Sequence, residues 1–167
     1  MILSDIDIAK ELKKRDASLR IIPCEDSQIQ PCSVDLHLSH ELKTLHDKTI
    51  DLRNGSYKLK PMEFILGSTV EYVEIPSYLC GQLEGRSSVA RKGLMCHITA
   101  GFIDAGYRGN ITLELFNASD KEFELVDGAS ICQLVLHSLT SKCLRKYGSS
   151  ELGSKYQDSE GTVRSKL

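Results

Sequence analysis

Period-two alternation of apolar residues, Gly- and Pro-marked turns and a near absence of helical spacing predict a mainly β chain, folded as a compact β-barrel or jelly-roll-like domain. Residues 33–38 read SVDLHL, and residues 64–75 read FILGSTVEYVEI between Pro61 and Pro76. Residues 111–116 and 131–136 (ITLELF and ICQLVL) supply two more strands, with turn chemistry from Arg108-Gly109-Asn110 and Asp127-Gly128. One helix is expected over residues 5–14. There Ser4 and Asp7 form an S-x-x-D cap, and Ile6, Ile8, Ala9 and Leu12 fall at helical spacing. A short second helix is expected over residues 87–92, capped by Ser87 or Ser88 and ended by Gly93.

From about residue 142 the chain turns polar and Gly/Ser-rich. That stretch reads either as a disordered tail or as a lid that orders over a bound anion. The expected organisation is one domain over residues 1–141, with residues 142–167 as its flexible C-terminal lid. At 167 residues the chain is long enough to bury a real core.

Composition narrows the function. A net charge of −2 supplies no global positive field, so nucleic acid and acidic membranes are poor partners. No apolar run approaches the roughly 20 residues that span a bilayer, and the N-terminus lacks the basic-then-apolar order of a signal peptide, which predicts a cytoplasmic address. The six cysteines (Cys24, Cys32, Cys80, Cys96, Cys132 and Cys143) contain no CxxC pair and read as free thiols. No HxE…PCxxC pattern is present, so any deamination chemistry would proceed without zinc. The histidines (His37, His40, His46, His97 and His137) are scattered and read as structural or surface residues; His97 stands out because it lies between a basic loop and Asp104.

Residues 85–115 concentrate the reactive side chains. In GRSSVARKGL, Arg86, Ser87, Ser88 and Arg91 offer charged and neutral donors within six positions, which suits a polyphosphate; the alternative is a surface loop held by salt bridges. In ITLELF, Ile111, Leu113 and Leu115 share one face, and Thr112, Glu114 and Phe116 the other. Beside an aromatic ring Glu114 suits a proton shuttle, whereas on an edge strand it is an ordinary solvent-facing Glu. Asp104, in FIDAGY, is either a second base or a turn Asp bonded to nearby backbone. Gln133 is an amide in an apolar strand and needs partners. An anion cradle beside two carboxylates points to an enzyme acting on a phosphorylated small molecule.

The order of these motifs resembles the dCTP deaminase family of the trimeric dUTPase superfamily. The likeness runs from MILSDIDI and QPCSVDLHL through GRSSVARKGL and AGFIDAGYRGNITLEL to YGSSELGSKY. The resemblance implies a distorted jelly-roll-like, dUTPase-like β-barrel assembled as a homotrimer, with active sites at subunit interfaces and Mg²⁺ bound through the substrate triphosphate. By the same resemblance Glu114 is the glutamate that shuttles protons in deamination, and Ser87 and Arg91 hold the attacking water. Arg86, Ser88, Thr112, Gln133, Tyr147 and Lys155 bind substrate. Asp104 meets the deoxyribose 3′-hydroxyl and activates water at the α-phosphate. No residue is assigned as a metal ligand.

Gly101-Phe102 stands where monofunctional members place His-Arg. It resembles the bifunctional branch that carries dCTP through dUTP to dUMP, and so supplies dUMP for thymidylate synthesis. A monofunctional deaminase releasing dUTP, a plain dUTPase and a catalytically silent deoxynucleotide-binding trimer are the alternatives. The family resemblance also raises dTTP as an inhibitor. One departure stands out: Ser159 occupies the position, four residues after Lys155, where the family carries Gln.

Overall fold

The computed structural model describes residues 1–15, 19–46 and 48–167. In chain order, the first half runs α1 (Asp5–Leu12), β1 (Arg20–Ile22), β2 (Ile29–Gln30), β3 (Ser33–His37), β4 (Glu41–Lys43), β5 (Thr49–Asp51), β6 (Tyr57–Leu59) and β7 (Phe64–Glu74). The second half runs β8 (Leu79–Gly85), α2 (Ser87–Ala90), β9 (Leu94–Met95), β10 (Phe102–Ile103), β11 (Arg108–Asn117), β12 (Phe123–Leu125) and β13 (Ser130–Ser138).

Two antiparallel sheets form the expected jelly-roll-like body, as stacked layers rather than a closed ring of strands. One has the order β5-β4-β7-β11-β9, with β1 also on β7; the other has the order β10-β8-β13-β3-β2. A single apolar cluster joins them. Ile65, Val73, Ile111, Leu113 and Leu115 come from the first sheet, and Val34, Leu36, Leu83, Leu134 and Leu136 from the second. Alternation therefore decides which side chains are left on the outer faces, and these include Thr112 and Glu114 on β11 and Glu84 and Gln133 on β8 and β13. Gly67 lets the layers close, since a Cβ there would lie 2.9 Å from Leu38 Cδ1.

The N-terminal helix is capped by Ser4, whose hydroxyl accepts from Asp7 N, and it ends two residues earlier than expected, at Leu12. The second helix is shorter than expected. It is one turn long, with Arg86 rather than a serine at its N-cap and no side-chain cap bond. Arg108-Gly109-Asn110 is not a turn. It opens β11, where a bulge between Asn110 and Thr112 absorbs the local irregularity against β7. Asp127-Gly128 does turn the chain, with Gly128 at φ +71°. No helix among the described residues is long and apolar enough to cross a membrane.

Candidate active site

On the outer face of β11, a cavity of about 600 Å³ is lined by Thr112 and Glu114, by Phe64 and Leu66 of β7, and by Phe102 and Asp104 around the end of β10. Glu114 lies on a strand flanked by β7 and β9, so the edge-strand alternative does not hold. Its Oε2 accepts a hydrogen bond from Ile98 N at 3.0 Å, and its own amide donates to the Cys96 carbonyl at 3.1 Å. The first bond ties the carboxylate, and the second the main chain of β11, to the loop between β9 and β10. Asp104 is exposed, at the start of the turn into β11, where its carbonyl accepts from Tyr107 N.

Two features shape the rim near Asp104. Gly106, at φ +96°, brings the backbone against the C-terminal segment: a Cβ there would lie 2.6 Å from Lys146 Cβ. Through this contact Tyr147 N donates to the Ala105 carbonyl, and the Tyr147 ring tilts against Tyr107 at 5.7 Å. Burial pushes the Tyr107 phenol well above its ordinary range, so it stays protonated and donates to the Asn110 carbonyl. A side chain at Gly101 would displace its neighbours, because its Cβ would sit 2.8 Å from His97 Cε1 and 3.0 Å from the Leu83 carbonyl. The buried His97 Nδ1 has no hydrogen-bond partner among the described residues. Phe102, in contrast, is 62% exposed and presents its ring to the cavity.

The C-terminal segment closes the far side through Tyr156, Ser159, Val163 and Ser165. It is held largely by main chain. Ser159 bridges Gly109, its carbonyl accepts from Asn110 N, and Val163 N donates to Thr112 Oγ1 at 3.2 Å. Thr162 is 1% exposed and donates to the Glu41 carbonyl. The Ser159 hydroxyl turns back to the Tyr156 carbonyl at 2.6 Å. Val163, Arg164 and Ser165 are cavity residues that sequence reasoning did not single out.

The anion donors lie elsewhere. Arg86, Ser87, Ser88, Arg91 and Gln133 do not line this cavity. Ser87, Ser88 and Arg91 are exposed on and after α2. Arg86 pairs with Asp35 of β3 at 3.2 Å, and Gln133 accepts from the Ser33 hydroxyl at 2.9 Å. Lys155 is exposed and does not line the cavity. The structure thus gathers Asp104, Thr112, Glu114, Phe102 and Tyr147 around one cavity and leaves the basic loop outside it, with Arg86 paired to Asp35 of β3 and α2 packed against β9. Ser33 and Asp35, the partners of Gln133 and Arg86, were not singled out, although the alternation of SVDLHL put both on one face.

A family model described as dCTP deaminase-like matches residues 2–139. The chain belongs to the dCTP deaminase-like family. This dCTP deaminase-like chain is 40% identical to the dUMP-forming dCTP deaminase of Corynebacterium jeikeium over 186 residues, covering 99% of this chain and 96% of that one. It is 41% identical to the dUMP-forming dCTP deaminase of Rhodococcus opacus over 183 residues, covering 99% and 96%.

Among solved structures, the 2′-deoxycytidine 5′-triphosphate deaminase of Agrobacterium tumefaciens superposes with a TM-score of 0.69 at 20% identity. That match covers 81% of this chain but only 46% of the other. The EIAV dUTPase superposes with a TM-score of 0.54 at 21% identity, covering 77% and 95%. At these identities the likeness to solved structures establishes the dUTPase-like fold.

Proposed function

We propose that the chain is a bifunctional, dUMP-forming dCTP deaminase, a hydrolase converting dCTP and two waters into dUMP, pyrophosphate and ammonia through dUTP. The observation that carries this reading is the cavity shared by Asp104 and Glu114, two carboxylates for two hydrolytic steps, in a chain about 40% identical to dUMP-forming deaminases along its length. In the first step water attacks cytosine C4 and Glu114 takes its proton. The protonated Glu114 then gives that proton to the departing amino group, and the C4–N bond breaks to leave uracil and ammonia. Ser87 and Arg91 hold the water and stabilise charge developing at the ring. In the second step Asp104 orients a water toward the α-phosphorus, the bond to the bridging oxygen breaks, and pyrophosphate leaves.

Glu114 lines the cavity on β11 and none of Arg86, Ser87, Ser88, Arg91 and Gln133 does, so a single chain offers two half-sites. A homotrimer supports the reading: the Arg86, Ser87, Ser88, Arg91 and Gln133 half of one copy would meet the Glu114 cavity of the next. Residues 142–167 serve as the lid, with Tyr147 and Lys155 closing on the phosphates. Among the described residues no three His, Cys, Asp or Glu side chains stand together as a metal site. Mg²⁺ would be held through the triphosphate oxygens, where the ion would neutralise phosphate charge. Gly101 and Phe102 favour the second step by leaving His97 in place and an apolar ring at the cavity. The same site would accept dTTP as an inhibitor, since it shares the deoxyribose and triphosphate, and the enzyme would work in the cytoplasm.

The test is a time course with purified protein, dCTP and Mg²⁺, resolved by ion exchange. dUMP and pyrophosphate without accumulating dUTP are expected. Accumulating dUTP would make the enzyme monofunctional, and unchanged dCTP would overturn the reading.

A further inference from the structure

The outer face of the β8–β13–β3 sheet carries a polar network that the deamination chemistry leaves unused. Ser33 and Asp35 are two apart on β3 and both buried, at 4% and 7% exposure. Gln133 lies directly across from Asp35 on one side and from Glu84 of β8 on the other, so all three project from the same face. Arg86 follows Glu84 by two residues with its backbone still extended (φ −69°, ψ 135°), which keeps it on that face. The bonds follow this geometry: Asp35 Oδ2 to Arg86 Nη2 at 3.2 Å, and the Ser33 hydroxyl to Gln133 Oε1 at 2.9 Å. Behind them, Gln28 Nε2 donates both to the Asp35 carbonyl and to the buried carboxylate of Glu71.

We infer that Ser33 and Asp35 are positioning residues for the triphosphate grip, acting through Gln133 and Arg86. The inference rests on the proposed function. A long guanidinium at the surface samples many rotamers, and a carboxylate fixed in a sheet selects one while leaving the rest of the fork for a second anion. Ser33 bonds the oxygen end of the Gln133 amide and so turns its nitrogen, the donor end, away from β3. Neither residue touches the reacting atoms; each sets the aim of one that meets substrate.

The experiment compares wild type, Asp35→Asn, Arg86→Ala and the double variant, by dCTP kinetics and by calorimetric titration with inorganic tripolyphosphate. Asp35→Asn should raise KM and the tripolyphosphate Kd about tenfold, at the low end of what supporting partners of a ligand-binding side chain are worth, with kcat nearly unchanged. In the Arg86→Ala background it should add less than a factor of two. Unchanged or tighter binding in Asp35→Asn, or fully additive losses, would overturn the inference while leaving the deaminase reading intact if wild type turns over dCTP. A wild type that binds tripolyphosphate without turning over dCTP would remove the deaminase reading alone, and the Asp35→Asn binding ratio would still decide the positioning role. A wild type that binds no tripolyphosphate overturns the inference.

Discussion

Replacing Glu114 by Gln removes the proton acceptor and little else. The carboxylate is anchored by the Ile98 amide at 3.0 Å, and a glutamine oxygen can accept the same bond. Thr112 and Phe116 still flank it on the outer face of β11, so the cavity keeps its shape. Exchanging a charge-assisted bond for a neutral one should cost about 1 kcal/mol, or roughly 2–4 °C in Tm for a chain of this size. The kinetic loss should be far larger. Glu114 is asked both to accept the proton of water and to deliver it to the departing amino group, which puts its contribution within the usual range of about 10²–10⁴. A kcat for deamination reduced about 10³-fold corresponds to roughly 4 kcal/mol.

The assay follows dCTP loss and, separately, dUTP hydrolysis by the same variant. Hydrolysis of dUTP depends on Asp104 and should persist within a few-fold. Deamination within tenfold of wild type, or equal loss of both reactions, would refute the division of labour between the carboxylates.

Two further predictions concern the loop and the buried thiols. Gly101→His places a Cβ against the His97 ring and the Leu83 carbonyl, and should cost about 1–3 kcal/mol while shifting product from dUMP toward dUTP; a stable variant with an unchanged product ratio would deny Gly101 that role. Burial pushes the Cys96 thiol up to about 11 and raises the Cys132 thiol well above its ordinary range, so alkylation at pH 8 followed by mass spectrometry should label exposed Cys32 and spare both. Because the folded state favours the protonated thiol of Cys96, its contribution to stability is complete below the ordinary thiol value near 9 and is lost as pH rises through about 11.

Long strands were legible from their apolar patterning, strictly alternating in β11 and bounded by turn residues around β7, so β3, β7, β11 and β13 fall close to where the pattern puts them. Short strands of two or three residues, such as β9 and β10, give periodicity nothing to work on. Arg108-Gly109-Asn110 carries turn composition but opens a strand, since β7 and the Ser159 backbone pair with it from outside the local sequence. The tail misleads composition in the same way. Its docking uses main-chain groups and the buried Ser159 and Thr162, and a Gly/Ser-rich stretch does not advertise either. Glu114 and Asp104 were legible as candidates from their apolar surroundings. Ser33 and Asp35 were not, because the groups that give them a role are supplied from far along the chain, a hundred residues away for Gln133.

Residues 86–91 and 104–114 are neighbours in sequence, and that closeness suggests one site within one chain. The fold points them apart: Arg86 pairs with Asp35 of β3, whereas Asp104 and Glu114 share a cavity that none of Arg86, Ser87, Ser88 and Arg91 lines. If copies of the chain complete each other's sites, two inactive variants can make an active enzyme. Co-refolding equal amounts of Glu114→Gln and Arg91→Ala yields mixed rings in which a site is intact when its cavity comes from the second variant and its basic loop from the first. Random assembly meets that condition at about one site in four, so the mixture should recover roughly a quarter of wild-type deamination from two preparations each near zero. A site built within one chain allows no such recovery, because every chain in the mixture carries a lesion. Activity equal to the mean of the two single variants would therefore refute the shared site, whatever the oligomeric state proves to be.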